Sequence, residues 1–396
     1  MPKLATVVDV LGKLDNVNIA THPERCAAVR NRNSKCTKCA DACTTGAISI
    51  TDGELSITPD LCIGCGTCAT VCPTSALEAL KPNDAELAQR GIKASKATEG
   101  HPVFACSKVL KKQKYDKGKV CEVVCLGRVE EVLLTGLASV GAHTITLVGC
   151  EDCEACEYHK GYETACVVRD SSNDLIRAWG GESTVEIVHA LPEFVLEIDE
   201  DSEAVDGISR RDMFTQLKQE AKAQVGEVVS SKIGEELGEE EEPAKFMKVT
   251  KDGTLPHFIP SRRERLLDNL DRLGDPQVDT IKTRLWGAIV IDETRCQSCQ
   301  MCAVFCPTGA ISKYEDKKTK TFGVEHRPAD CVQCHLCQDI CHWGALHVDD
   351  TVSTDILLSG DVERYEMAPR KVQVNKPDSI YRSMYQLLGG GQIYER

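Results

Sequence analysis

The sequence predicts an α+β chain of several domains, in which two cysteine-rich modules flank a small α/β domain with a parallel sheet. Its 396 residues are too many for one ordinary hydrophobic core. One short unit recurs four times as two pairs near the two ends: Cys43 with TTGAI, Cys72 with PTSAL, Cys306 with PTGAI and Cys341 with HWGAL. Between the pairs, β-branched runs alternate with a helical pattern. The predicted parts are 1–95, 96–200, a helical and acidic linker at 201–285, 286–350, and a tail at 351–396. In the linker, a serine with an acid three residues later predicts a capping box and a helix start at Ser209 and at Ser261, and 234–243 is an acidic run.

Composition narrows the class of protein. The 23 cysteines are bunched, whereas the half-cystines of a disulfide scaffold are dispersed along short secreted chains, so a metal is the better explanation. The net charge of -14 argues against a nucleic-acid partner, which would need a basic face. The first twenty residues lack the features of an export signal, and nowhere do about 18 apolar residues follow one another. We therefore expect a cytoplasmic protein with no direct membrane insertion.

The C-terminal pair of motifs has the spacing of iron-sulfur ligands. A C-x2-C-x2-C run wraps one face of a cuboidal cluster with three thiolates, so the fourth must come from elsewhere. In two-cluster ferredoxins it comes from the other motif. One [4Fe-4S] cluster would then take Cys296, Cys299, Cys302 and Cys341. The second would take Cys331, Cys334, Cys337 and Cys306.

The eight cysteines of this pair, Pro307 and the glycine-alanine pairs at Gly309 and Gly344 resemble those of bacterial-type dicluster ferredoxins. The resemblance implies two ferredoxin-like dicluster modules, one at each end of the chain. His342 departs from the pattern, because proline is usual there, and this change affects solvent access or potential rather than ligation. Zinc is a weaker interpretation, since it has no need of a third cysteine at this spacing. The haem c pattern CVQCH at Cys331 is weaker still, because it lies inside a complete octet.

The N-terminal pair is less regular, because its first motif, CTKCADAC from Cys36, is one cysteine short. Cys26 is the candidate for the missing ligand, across a nine-residue loop. One [4Fe-4S] cluster would take Cys26, Cys36, Cys39 and Cys72, and the other Cys62, Cys65, Cys68 and Cys43. The alternative is a three-iron cluster with Cys26 a free thiol.

The loop after Cys26 is basic, and Arg30, Arg32 and Lys35 of this loop lie close in sequence to Arg25, just before Cys26. It is either a solvated insertion or a segment that docks an acidic redox partner or raises the potential of the adjacent cluster.

The middle domain places three cysteines after three predicted strands, namely Cys106, Cys125 and Cys150. Because ligand crevices in open α/β sheets lie beyond the carboxyl ends of the strands, we expect these thiols to converge, with Cys153 or Cys156 as a fourth ligand. A helix is predicted at Val129 to Gly141, another near Asn173 to Trp179, and a fourth strand at Thr184 to His189. Cys121 alternates with apolar residues and is expected in the core.

The segment CLGRV from Cys125, together with Cys106 and GC…CEYHKG from Gly149, resembles the hydrogenase iron-sulfur subunit family, the delta subunit of methyl-viologen-reducing hydrogenases. The resemblance implies one [2Fe-2S] cluster, with the ligands Cys106, Cys125, Cys150 and Cys156. Val109 stands where that family often has a further cysteine. The alternative is a fifth [4Fe-4S] cluster held by Cys150, Cys153, Cys156 and Cys166.

The chain has no dinucleotide or nucleotide phosphate motif. We therefore expect an electron-transfer subunit that relays single electrons. By the resemblance, its partners would be a flavin-containing, heterodisulfide reductase A-like subunit and a hydrogenase, formate dehydrogenase or molybdopterin catalytic subunit, in oxygen-poor metabolism. The acidic linker would let the C-terminal module reposition. An enzyme with an open iron site in the middle domain and a redox-sensing or assembly protein are the alternatives.

Overall fold

The computed structural model describes residues 18–198, 204–205, 247 and 249–368. It shows a mixed α/β chain with a parallel sheet in its middle region, as the sequence predicts. The helix start predicted at Ser209 and the acidic run at 234–243 lie outside the described residues. Among the residues that are described, no helix has the length and apolar character needed to cross a membrane.

The N-terminal module consists of two antiparallel strand pairs and three short helices. Its elements are β1 (Ile19–Thr21), α1 (Ala27–Arg30), α2 (Lys38–Asp41), β2 (Ile48–Thr51), β3 (Glu54–Ile57), α3 (Thr67–Val71) and β4 (Leu77–Ala79). Strand β1 pairs with β4, and β2 forms a hairpin with β3. The small core between them buries aliphatic side chains together with Cys26, Cys39 and Cys68. Ligand candidates therefore form part of the packing of this module.

The middle domain begins with a long helix. Its elements are α4 (Asp84–Ala97), β5 (Val103–Cys106), α5 (Ser107–Leu110), β6 (Val120–Val123), α6 (Glu131–Ser139), β7 (Thr144–Val148), α7 (His159–Ala178) and β8 (Thr184–Val188). All four strands are parallel, in the order β6-β5-β7-β8. The chain thus winds outward in both directions from β5 and β7, and this topological switch point is where open α/β sheets bind ligands.

The predicted elements of this domain are confirmed, but one helix is longer than predicted and one further helix was not predicted. The second helix is 20 residues long, and the sequence predicted only its apolar final part. Helix α4, which the sequence analysis does not predict, crosses the domain boundary placed at 95. It begins with a capping box, in which the Asn83 side chain accepts from the Glu86 amide and the Glu86 carboxylate accepts from the Asn83 amide.

Helix α8 (Ser261–Leu273) lies in the range predicted as a linker, and the predicted helix start at Ser261 is confirmed. The predicted capping box is wrong, because Pro260 occupies the N-cap and no side chain caps the helix. The helix packs against α6 and buries Arg262, Arg263 and Leu266. This part of the range is therefore built into the fold.

The C-terminal module repeats the plan of the N-terminal one. Its elements are β9 (Thr280–Lys282), β10 (Ala288–Ile291), α9 (Met301–Phe305), β11 (Ile311–Asp316), β12 (Thr321–His326), α10 (Leu336–Asp339), β13 (Leu346–Asp349), β14 (Thr351–Ser353), α11 (Thr354–Ser359) and β15 (Glu363–Glu366). Strand β10 pairs with β13, and β11 forms a hairpin with β12. Residues 351–366, in the range predicted as a tail, add β14 beside β9 and β15 beside β12.

Candidate metal centres

The backbone turns around the cysteines explain why the same short unit recurs. The third residue after each fourth cysteine is left-handed: Gly46, Ser75, Gly309 and Gly344, with φ of 65°, 49°, 75° and 56°. The alanine that follows is buried in all four copies. Because this turn points backbone amides at the cysteine, Ala76 donates to Cys72 Sγ at 3.3 Å and Ala345 to Cys341 Sγ at 3.2 Å. The left-handed turn and the small residue thus give Cys72 and Cys341 an N–H donor, whereas Cys306 accepts from the Ile311 amide at 3.5 Å. Such donors tune cluster potentials.

Left-handed residues also flank the second cysteine in three of the four motifs. They are Gly64 and Gly66, Ser298 and Gln300, and Gln333 and His335. The second member of each pair is the N-cap of the short helix that carries the third cysteine. In the first motif the N-cap is Thr37, with φ of -124°. The motif that lacks the left-handed residues is thus the same one that is a cysteine short.

Cys26 follows the same backbone turn as the first cysteines of two other motifs. The chain forms a 3-10 turn that begins with proline just before it, and the Cys26 amide donates to the Pro23 carbonyl at 3.0 Å. Cys62 and Cys331 follow the same turn and make the same 3.0 Å bond to Pro59 and Pro328. The sequence carries this signal as P-x-x-C, which sequence reasoning missed.

The thiols of the C-terminal module fall into two groups. Burial, with a contribution from the thiols of its own motif and of Cys341, raises the pKa of Cys302 to about 12. We name these thiol group A: Cys296, Cys299, Cys302 and Cys341. Burial raises the pKa of Cys337 strongly, with further contributions from three neighbours in thiol group B, which is Cys331, Cys334, Cys337 and Cys306. In both groups the fourth cysteine comes from the other motif.

The N-terminal module shows the same crossing. Burial raises the pKa of Cys39 to about 12, and its thiol neighbours are the other members of thiol group C, which is Cys26, Cys36, Cys39 and Cys72. Burial also raises the pKa of Cys68, whose neighbours include the other members of thiol group D, which is Cys62, Cys65, Cys68 and Cys43. The structure therefore brings together the four sets of thiols that the motif spacing predicts.

Cavities at two of these groups test whether the residues fit a cluster. One cavity is lined by all four thiols of group D together with apolar side chains such as Ile19 and Ile57. Another is lined by all four thiols of group A, with Met301 and Trp343. No three His, Cys, Asp or Glu side chains of the described residues converge on a point for a single ion; these thiols surround cavities instead. The donor set fits iron-sulfur clusters, whose binding would displace the thiol protons.

In the middle domain, five thiols gather beyond the ends of the parallel strands, and we name them thiol group E: Cys106, Cys125, Cys150, Cys153 and Cys156. Burial raises the pKa of Cys153 to about 12, with contributions from Cys150, Cys106 and Cys125. The Cys150 amide donates to Cys153 Sγ at 3.0 Å. The Cys156 sulfur instead lies 3.6 Å from the Lys108 ammonium.

The two remaining cysteines lie apart. Cys121 is fully buried in the apolar core, as predicted. Cys166 lies on α7 one turn after Tyr162, with which it interacts.

Four pairs of thiols link the groups to one another. Beyond the dominant effect of burial, the Cys302 thiol contributes to the raised pKa of Cys337, and Cys36 to that of Cys334. In the same way Cys39 contributes to the raised pKa of Cys68, and Cys65 to that of Cys125. Because the interaction between two charges weakens with distance, the two thiols of each pair are neighbours. The links run from A to B, B to C, C to D and D to E.

The basic loop after Cys26 makes contacts within the chain. Arg25 pairs with Glu78 at 2.7 Å. Arg30 is buried and donates to the carbonyl oxygens of Pro256 at 2.9 Å and Cys306 at 3.4 Å. The Lys35 amide donates to the Asp339 carboxylate at 2.8 Å. The loop thus joins the N-terminal module to the C-terminal one.

Two family models match the chain. The 4Fe-4S dicluster domain matches residues 295–345, and the 4Fe-4S binding domain matches residues 55–78. No curated protein matches it. The chain therefore carries 4Fe-4S ferredoxin-type domains near both ends, and these domains point to electron transfer.

Proposed function

We propose that the chain is an electron relay in which five iron-sulfur clusters stand in single file. Thiol groups A, B, C and D would each hold one [4Fe-4S] cluster, and group E would hold the fifth cluster. The observations that carry the proposal are the contacts that hold groups B and C, and groups D and E, beside each other, together with the four neighbouring pairs of thiols between consecutive groups. When bound, such clusters exchange single electrons with little change of geometry. The relay order differs from the sequence order, because the C-terminal module leads into group C and the middle domain follows group D.

The link between groups B and C is supported by contacts around it. Loss of hydration beside the module boundary lowers the pKa of Lys38, and both Cys36 and Cys334 are among the charges that act on it. Arg30 donates to the Cys306 carbonyl from the other side of the module boundary. Lys38 thus lies near thiols of both groups and Arg30 near thiols of group B, where their charges would favour the reduced, more negative state of a bound cluster.

The link between groups D and E is supported by close backbone packing. Thr67 donates to Cys65 Sγ at 3.5 Å. A Cβ placed on Gly161 would collide with Cys125 Sγ and lie 3.3 Å from the Thr67 hydroxyl. Helix α3 of the N-terminal module and helix α7 of the middle domain therefore pack closely beside Cys65 and Cys125. A side chain at position 161 would not fit there.

Group E carries the ligands of the fifth cluster, and its type is open between [2Fe-2S] and [4Fe-4S]. Cys106, Cys125 and Cys150 are common to the sets that the strand ends support. The fourth ligand is Cys156 by the family resemblance, whereas the contacts favour Cys153, because Cys153 has the other three thiols as neighbours and Cys156 is engaged by Lys108. Cys153→Ser and Cys156→Ser distinguish the two candidates. The substitution that removes the true ligand should remove the group E cluster, and the other should leave it in place.

The finer part of the proposal concerns partners. The resemblance of the middle domain to hydrogenase delta subunits favours a flavin-containing, heterodisulfide reductase A-like subunit at group E. The opposite end, at group A, would then face a hydrogenase, formate dehydrogenase or molybdopterin subunit in the cytoplasm.

The experiment that tests the relay is iron and sulfide analysis of the anaerobically purified chain, with low-temperature EPR on stepwise reduction. We expect about 18 irons with a [2Fe-2S] cluster in group E, or about 20 with a fifth [4Fe-4S] cluster. The double variant Cys36→Ser/Cys39→Ser should remove about four irons and the magnetic coupling across group C, while the coupling between groups A and B remains. Cys121→Ala is the control and should keep all the iron. Zinc with little iron would overturn the proposal.

A further inference from the structure

A lysine-rich segment lies beside thiol group E. Helix α5 begins directly after Cys106, and residues 107–119 contain six lysines in a chain whose net charge is -14. Four of them are exposed, and we name them the lysine face: Lys111, Lys112, Lys114 and Lys117. Among the residues that the structure describes, these four make no ion pair or side-chain hydrogen bond. Within the described part of the chain, no carboxylate neutralises these four charges.

The other two lysines of the segment differ from the lysine face. Lys108 pairs with Glu157 at 2.5 Å and lies 3.6 Å from Cys156 Sγ. Lys119 donates to the backbone carbonyls of Phe194 and Glu197 at 3.1 Å and 3.0 Å. These two are explained by contacts within the domain, whereas the lysine face is not.

The surroundings of the lysine face suit electron transfer. Cys106 Sγ and the Ser107 hydroxyl both donate to the Val124 carbonyl, at 3.5 Å and 3.4 Å. The Val124 side chain is 37% exposed, so an apolar contact point lies between the segment and group E. An apolar spot with a charged rim is typical of transient redox complexes, which bury little area and use charge to steer the encounter.

The rim of group E carries charges of both signs. The loop from Cys150 to Cys156 bears exposed Glu151, Asp152 and Glu154. A partner that is acidic on one side is attracted by the lysine face and repelled by this loop, which restricts the orientations in which it can dock.

We propose that the lysine face is the docking site of a redox protein with an acidic surface around its cofactor, which exchanges electrons with the cluster of thiol group E. This inference rests on the proposed relay for its electron-transfer part and on charge complementarity for its docking part. The exchange is of one electron at a time: the partner's cofactor loses an electron, and the group E cluster gains it.

The test uses flavodoxin hydroquinone as the acidic probe and the full, iron-loaded chain in stopped-flow mixing. The variant Lys111→Glu/Lys112→Glu/Lys114→Glu should lower the second-order rate at least tenfold at low salt, and the rate of the unchanged chain should fall steeply as salt is added. The matched control is Lys317→Glu/Lys318→Glu/Lys320→Glu, which makes the same charge change on exposed lysines at the β11–β12 turn. It should leave the rate within about twofold, since the turn belongs to the C-terminal module, which holds the other end of the proposed relay. Glu151→Lys/Asp152→Lys should raise the rate.

A second readout does not depend on electron transfer. Carbodiimide cross-linking should join flavodoxin carboxylates to Lys111, Lys112 or Lys114, as mapped by mass spectrometry. Cross-links without electron transfer would support the docking face and contradict the relay. Cross-links elsewhere, or equal slowing by both triple variants, would overturn the docking face even if the relay holds. Binding of the unchanged chain to phosphatidylserine vesicles that the lysine variant abolishes would also overturn it, in favour of a membrane surface.

Discussion

Arg262 and Asp84 are 178 positions apart in the sequence, yet the Arg262 guanidinium lies 3.2 Å from the Asp84 carboxylate. Asp84 also accepts from Arg128 at 2.7 Å, and Arg262 donates to the Ala69 carbonyl at 2.7 Å. Each of these groups is largely buried. The N-terminal module, the middle domain and helix α8 thus meet at one carboxylate.

Replacement of that carboxylate should destabilise the whole chain. In Asp84→Asn, buried Arg128 loses its ion-pair partner and buried Arg262 keeps only the Glu130 carboxylate, at 3.4 Å, so we expect the free energy of unfolding to fall by about 3 to 5 kcal/mol. Chemical denaturation followed by circular dichroism measures the change. Asp170→Asn, which removes the partner of Arg169 in an exposed pair, is the control and should have a much smaller effect. Equal effects of the two would contradict a structural role for the junction.

The same carboxylate predicts a pH dependence. Although burial acts to raise the pKa of Asp84, Arg262 and Arg128 hold it below its usual value. The folded state thus binds the proton less tightly than the unfolded chain, whose value is about 3.9. The stabilisation is present above that value and is lost as pH falls through the lower folded pKa. Acid titration of the unfolding free energy should show this loss in the unchanged chain and not in Asp84→Asn.

Ser75 is the one non-glycine among the four left-handed residues that follow the fourth cysteines. Because a left-handed residue with a side chain costs about 1 kcal/mol or more, Ser75→Gly should stabilise the N-terminal module by about 1 kcal/mol. Gly46→Ser, at the matching position in the first motif, has open space for a side chain and should destabilise it by a similar amount. Denaturant midpoints of the two variants, on opposite sides of the unchanged chain, check this prediction.

Gly161 is needed for the contact between the N-terminal module and the middle domain. In Gly161→Ala, the new Cβ would collide with Cys125 Sγ. We therefore expect the free energy of unfolding to fall by about 1 to 3 kcal/mol, and the chain to lose the group E cluster but keep the others. Iron analysis with EPR separates this cluster from the others. Gly136→Ala is the control, because its Cβ would meet only the end of the Asn269 side chain at 3.2 Å. Retention of all iron in Gly161→Ala would show that the contact tolerates a methyl group.

Cys26 can be tested as a ligand in the same way. If it completes thiol group C, Cys26→Ser should remove or convert one [4Fe-4S] cluster, with a matching drop in iron and a changed EPR signal. If a three-iron cluster occupies the site with Cys26 free, the iron content and the spectrum of Cys26→Ser should be those of the unchanged chain.

Much of the fold and of the candidate site can be predicted from the spacing of residues that are close in the sequence. The parallel sheet follows from β-branched runs that alternate with a helix, and the four thiol groups of the two modules follow from the motif repeat. Helix α4 was missed, although the Asn83 to Glu86 capping box marks its start. The packing of the modules was not predictable, because Arg30 binds carbonyl oxygens, which every residue has. The P-x-x-C pattern before Cys26 can be read in the sequence. That it forms the turn before a first cysteine is known only from the same turn before Cys62 and Cys331 in the structure.

The fixed contact of Arg30 and Lys35 with the C-terminal module has a kinetic consequence. Two separate ferredoxins must collide before an electron can pass between them, at a rate set by their concentrations. Here one chain holds thiol groups B and C side by side, so the effective concentration of each for the other stays high at any dilution. Transfer across this boundary should be a first-order step that is insensitive to dilution.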